Sequence, residues 1–244
     1  MTNKDKTLIA ALLDRSGSMG SRAKATEDGF NEFINGQKAE PGEALVTLAQ
    51  FDTHYEVVYQ NKPIADVPPL ELHARSMTAM NDAIGKLITD IGVELADMAE
   101  EDRPGLVVVV IMTDGLENAS KEWTTEKIRA LIKNQEDQWR WKFIFLGSGI
   151  DVRKESADRG MRVGTSLAFD ADSGIATRNA YASTSGLVSQ YRGAVASAAP
   201  ASVMDAIAFS DKDREEAVTP GRQDGESQQD WKQRLQGRGL IKSK

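Results

Sequence analysis

The chain reads as an α/β protein, because strand-like apolar runs and helix-like amphipathic stretches alternate along most of its length. Leu8-Ile9-Ala10-Ala11-Leu12-Leu13 is one such run. Gly105-Leu106-Val107-Val108-Val109-Val110-Ile111-Met112-Thr113 is another, with almost no polar alternation, as in a central strand covered on both faces. A third observation sets one strand apart. Only Asp52-Thr53-His54 separates Ala44–Phe51 from Tyr55–Tyr59, too short for a parallel crossover, so this pair forms a hairpin. Together these features predict a Rossmann-like three-layer sandwich: a mostly parallel sheet with one antiparallel edge strand and helices on both faces.

After the first strand, Ala23 to Gln37 carries Phe30, Phe33 and Ile34 at helical spacing. The hairpin follows, then a loop from Pro63 to Pro69. From Thr78 a long helix is expected, with Met80, Ile84, Leu87, Ile91, Leu95 and Met98 as its apolar stripe. The Val-rich strand comes next. Trp123-Thr124-Thr125-Glu126 then opens a helix with Ile128, Leu131 and Ile132 inward. Trp141 to Leu146 is a strand ended by Gly147-Ser148-Gly149. A short helix from Asp151, a short strand at Ser166–Phe169 and a last helix from Ser173 to Arg192 complete the alternation. Beyond Arg192 the texture turns small, polar and charged. Residues 1–192 are therefore expected to form the domain and 193–244 a polar, flexible tail, with a transient helix at Asp230–Leu235.

Composition narrows the function classes. The chain has 244 residues, 30 basic against 37 acidic, for a formal charge of −7. That balance argues against nucleic acid as a partner. Cysteine is absent, which rules out disulfides, thiolate metal sites and cysteine nucleophiles. No apolar run is long enough to cross a bilayer, and the N-terminus reads as a first strand and not a signal peptide. The expectation is a cytoplasmic protein with no membrane partner.

The chemistry concentrates at strand ends. Asp14-Arg15-Ser16-Gly17-Ser18 follows the first strand directly, placing a carboxylate and two hydroxyls at the C-terminal edge of the sheet. Asp114-Gly115 follows the Val-rich strand in the same way. Thr78 stands where a loop enters the long helix. Taken singly these have bland readings: a serine-glycine turn caps a helix, and a threonine before a helix is an N-cap. Taken together they are a set of hard oxygen donors suited to Mg²⁺ or a similar cation. Asp52 is expected to stabilise the hairpin, Arg15 to be solvated, and Glu117 and Asn118 to belong to a polar loop. His54 and His73 lie too far apart for a histidine zinc site, and Gly147-x-Gly149 lacks the third glycine of a dinucleotide loop.

Asp-x-Ser-x-Ser after strand one, Thr78 before a middle helix, and Asp114-Gly115 after the Val-rich strand resemble the von Willebrand factor type A (vWA) domain over residues 6 to 192. Leu13–Met19, Phe51-Asp52 and Thr113–Ala119 are most similar to stand-alone bacterial and phage members. The resemblance implies a metal-ion-dependent adhesion site (MIDAS). Ser16 and Ser18 would contact the ion directly, Thr78 would do so when a ligand is bound, and Asp14 and Asp114 would hold it, often through water. Mg²⁺ is the expected ion, with Mn²⁺ or Ca²⁺ able to replace it. A carboxylate from the Asp or Glu of a protein partner would complete the shell. By analogy the partner could be an AAA+ ATPase of the MoxR class. No catalysis is required. Two other readings compete: a Mg²⁺-dependent phosphotransferase or phosphatase with Asp14 as nucleophile, and a structural assembly protein of a phage or bacterial particle.

Overall fold

Along the central strands, continuously buried side chains alternate between two cores, and this places helices on both sides of the sheet. In β1 (Asn3–Asp14) Ile9, Ala11 and Leu13 enter one core while Leu8, Ala10 and Leu12 enter the other. In β4 (Pro104–Thr113) Val108, Val110 and Met112 face the first core, and Val107, Val109 and Ile111 the second. The computed structural model describes residues 2–218 and 227–237.

The remaining strands are β2 (Glu43–Phe51), β3 (Tyr55–Pro63), β5 (Lys142–Gly147) and β6 (Ser166–Ala168). They form one six-stranded sheet in the order β3-β2-β1-β4-β5-β6. All pairings are parallel except β2 with β3, so the expected hairpin edge is present. The first core packs under α1 (Ala23–Lys38) and α5 (Gly174–Ala196), through Phe30, Phe33, Tyr181 and Leu187. The second packs under α2 (Met80–Asp97), α3 (Thr125–Trp139) and α4 (Val152–Asp158), through Ile84, Leu87, Ile128 and Val152. The predicted three-layer sandwich is therefore the observed one. Among the described residues no helix is long and apolar enough to cross a membrane.

Several local expectations need correction. The helix expected from Thr78 begins at Met80, with Ala79 at its N-cap, and Met98 falls beyond its end. Thr78 is thus not a capping residue. The last helix continues past Arg192 to Ala196, and the boundary expected after Arg192 has no counterpart in the packing. Two short helices follow, α6 (Ala201–Ala206) and α7 (Asp211–Val218), and Met204, Ile207, Phe209, Ala217 and Val218 are buried. Arg214 anchors this stretch by donating to the Ser166 and Gly164 carbonyls at 2.7 and 3.1 Å. Met204, Ile207 and Phe209 lie close together in sequence, but nothing local marks the surface they meet. A helix, α8 (Gln228–Gly237), spans the Asp230–Leu235 region. Residues 219–226 and 238–244 of the expected tail lie outside the described residues.

Candidate metal centre

The sheet order itself selects the place. The chain leaves β1 for β2 on one side, and β4 later adds on the other, so the crevice beyond the C-terminal ends of β1 and β4 is the switch point where open α/β sheets bind ligands. Asp14 ends β1, and Thr113 and Asp114 end β4 beside it, with Leu13 in register with Met112.

All five residues expected at the site converge there. The Ser16 N–H donates to Asp14 Oδ1 at 2.7 Å. Ser16 and Ser18 hydroxyl oxygens lie 3.2 Å apart, and Ser18 donates to Asp114 Oδ1 at 2.6 Å. Gly115 joins the last member, since a Cβ there would come 3.1 Å from Thr78 Oγ1 and 3.9 Å from Asp14 Oδ2. Any larger residue at Gly115 would crowd the donors. Asp14, Ser16, Thr78 and Asp114 are buried while Ser18 is exposed, so the site opens on the serine side.

The frame around these donors is polar and closely tied. The Thr113 hydroxyl donates to Asp14 Oδ2 at 2.6 Å, and the Gly115 N–H donates to the Thr113 hydroxyl at 3.1 Å. Asn118 clamps the Thr78 backbone: its Oδ1 accepts from Thr78 N at 3.0 Å and its N–H donates to Thr78 O at 3.1 Å. Glu117 accepts from the backbone of Asn81, Ala119 and Ser120. Asp82 accepts from the backbone of Lys121, Glu122 and Trp123. The loop after β4 is thereby laced to the start of α2, which fixes Thr78 against Gly115.

Two basic residues depart from expectation. Arg15 is buried, not solvated: it pairs with Asp52 at 3.0 Å and with Glu56 at 2.7 Å. Asp52 also accepts from Arg75 at 2.6 Å and from the His54 N–H at 2.8 Å. It therefore secures the hairpin turn, as expected, and also ties the loop after β1 to the segment before Thr78. Arg22, at the end of a 3-10 turn over Gly17–Arg22, reaches Asp114 Oδ2 through Nη1 and grips Asp172 through Nε and Nη2 at 3.1 and 2.9 Å. Sequence reasoning assigned no role to Arg22, Asp172 or Thr113. Thr113 was legible as a polar residue closing an apolar strand, whereas the other two depend on contacts long in sequence.

The donor chemistry fits a hard divalent cation. Asp14 and Asp114 bring two carboxylates together without a histidine. Burial, reinforced by the Asp114 charge, pushes the Asp14 carboxyl up from its ordinary range, against the Thr113 and Ser16 hydrogen bonds. A cation would relieve that cost. The Ser18 proton is committed to Asp114, so its lone pairs are available to an ion. Among the described residues no three acidic or histidine side chains gather as a metal cage; the donor set here is three hydroxyls and two carboxylates.

Fold and site geometry together define a vWA-type architecture: the chain has the fold of von Willebrand factor type A domains. Solved structures like it include a vWA protein from Catenulispora acidiphila, at 13% identity and TM-score 0.55, covering 76% of this chain and 43% of that one. Proximal thread matrix protein 1 from the mussel byssus matches at 14% identity and TM-score 0.54, covering 75% and 46%. The pilus adhesin SpaC from Lactobacillus rhamnosus GG, in its open conformation, matches at 12% identity and TM-score 0.57, covering 76% and 30%. The chain thus spans less than half the length of each. No protein-family model and no curated protein matches the chain.

Proposed function

We propose that this chain is a divalent-cation-dependent protein-binding module. Asp14, Ser16, Ser18, Thr78 and Asp114 hold Mg²⁺, or Mn²⁺ or Ca²⁺ in its place, and an Asp or Glu side chain of a partner protein completes the coordination. The convergence of these residues at the switch point carries the reading, because fold alone does not assign function. Mg²⁺ takes oxygen ligands in near-octahedral geometry and usually retains water. With hydroxyls supplying much of the donor set, a position remains attractive to an external carboxylate.

The rim supports a protein as ligand. Met77 and Leu116, 57% and 54% exposed, stand beside Thr78 and Asp114 on the two loops that Asn118 joins. Apolar side chains next to a polar centre are usual at protein interfaces. Asp14 is poorly placed for the competing role of phosphoryl-accepting nucleophile, because it is fully buried and both its oxygens accept hydrogen bonds. The module reading includes a cytoplasmic setting and, by analogy alone, a MoxR-class AAA+ ATPase as partner.

The test is retention of proteins from a lysate of the source organism on the immobilised chain, in Mg²⁺ and in EDTA. The Ser16→Ala/Ser18→Ala double variant is run beside wild type. A partner held only by wild type and only in Mg²⁺ is the expected result. Retention indifferent to both Mg²⁺ and the serines would defeat the proposal.

A further inference from the structure

We infer that Arg22 makes cation capture at this site conditional on the incoming carboxylate, by neutralising Asp114 from within the chain. The inference rests on the metal-binding reading above and adds a specificity-determining residue to it. Arg22 sits four positions after Ser18, at the end of the turn that carries the serines. Its Nη1 lies on Asp114 Oδ2 while the Ser18 hydroxyl occupies Oδ1, so both oxygens of that carboxylate are engaged. Asp172 holds the guanidinium in place through Nε and Nη2. A guanidinium does not lose its proton in proteins. Arg22 is thus a permanent positive charge beside the ion's seat.

The charge count gives the consequence. Two ionised carboxylates would neutralise a divalent cation. With the guanidinium on Asp114, the cation faces only one uncompensated carboxylate, Asp14, and a like charge next to it. Asp172 balances the guanidinium formally, but its side chain is 57% exposed and screened by solvent, so the bare site holds a cation weakly and a third carboxylate placed at the ion, from outside, would strengthen it. A unit charge facing a divalent ion across one carboxylate alters affinity by about tenfold even at water-like dielectric. That separation is within the Debye length at physiological salt, so the effect survives in ordinary buffer.

A merely structural link between the turn and the start of α5 predicts something different. Losing it would loosen the site and weaken the metal. The electrostatic role predicts a gain, which separates the two.

The experiment titrates the full-length chain with Mn²⁺ alone and reads free Mn²⁺ by electron paramagnetic resonance. Wild type is compared with Arg22→Gln, Arg22→Lys, Asp172→Asn and Asp14→Ala. Arg22→Gln is expected to bind Mn²⁺ about tenfold more tightly. Arg22→Lys, which keeps the charge, should stay near wild type. Asp172→Asn should bind several-fold more weakly, because the guanidinium loses its outer counter-charge. If Arg22→Gln binds no more tightly than wild type while Asp14→Ala abolishes binding, the role of Arg22 is refuted and the metal site stands. If binding is absent throughout or unchanged by Asp14→Ala, the metal site fails and this inference with it. Should Arg22→Gln not fold, Arg22→Met decides: tighter Mn²⁺ binding than wild type supports the inference, and equal or weaker binding overturns it.

Discussion

Replacing Asp14 by asparagine separates what this residue does for the fold from what it does for a cation. In the metal-free protein its carboxylate is fully buried, raised in pKa by that burial, and close to a second carboxylate. An asparagine fits the same contacts. Its carbonyl oxygen can keep the Ser16 N–H bond, and its amide can donate to the Thr113 hydroxyl. The Thr113 proton then turns to the Gly115 carbonyl, 3.1 Å away. Single stabilising substitutions commonly gain about 0.5–2 kcal/mol, the range taken here for removing this buried charge. At about 2–4 °C per kcal/mol for a chain of this length, Asp14→Asn should melt roughly 1–8 °C above wild type in EDTA at neutral pH. Saturating Mn²⁺ should reverse the order, since a ligand at a hundred times its Kd stabilises wild type by about 2.7 kcal/mol and leaves the variant unaffected. The pH dependence has a definite sign. Because the folded pKa is raised, the stability conferred by protonated Asp14 is present at low pH and lost as pH rises through that pKa. The advantage of the variant in EDTA should therefore shrink on acidification. Differential scanning calorimetry in EDTA and in Mn²⁺ measures both effects. A variant that melts below wild type in EDTA would refute the claim that ionised Asp14 is an electrostatic burden awaiting a cation.

Asp52 should behave oppositely. Burial would raise its carboxyl, but the Arg75 hydrogen bond, the His54 N–H and the charges of Arg15 and Arg75 hold it at about 2. Its contribution is present above the ordinary aspartate range and lost as pH falls toward that value. Arg75 is itself 55% exposed, so solvent weakens the pairing, and Asp52→Asn should remove about 1–2 kcal/mol at neutral pH. It should also flatten the acid limb of the stability profile, as read by urea midpoints between pH 3 and 7. Truncation after Arg192 removes the buried Met204, Ile207, Phe209 and Val218, each worth at most about 1.5–3 kcal/mol. The shortened chain should melt far below the full one by circular dichroism, and equal melting would show that α6 and α7 contribute nothing to the domain.

The fold was legible because its signals are local. Apolar runs such as Val107–Ile111, the three-residue gap at Asp52-Thr53-His54 and the stripe from Met80 to Ile91 each announce their element without reference to anything distant. The convergence of the candidate ligands was legible for a related reason. Asp14 and Asp114 stand immediately after strands, so once those strands are neighbours the carboxylates meet. What the residues between them do was not legible. Arg15 is flanked by ligands and reads as a solvent-facing turn residue, yet Asp52 and Glu56 draw it inward from a hairpin that pairs beyond β2. The ordered stretch after Ala196 shows the same limit. Its buried side chains lie in short stretches whose role becomes visible only against β6 and α5.

Arg22 shows why such contacts matter more than their scarcity suggests. It lies 92 positions from Asp114 and 150 from Asp172, and nothing near it in sequence marks it out. The sheet order brings the ends of β1 and β4 side by side and the start of α5 to the same rim. A guanidinium at that junction meets carboxylates from two loops at once. The five oxygen donors alone describe a cation site, whereas the same donors with a fixed positive charge on one carboxylate describe a site whose occupancy responds to a further anion. On the proposed function, that difference separates a resident structural ion from one retained when a partner arrives.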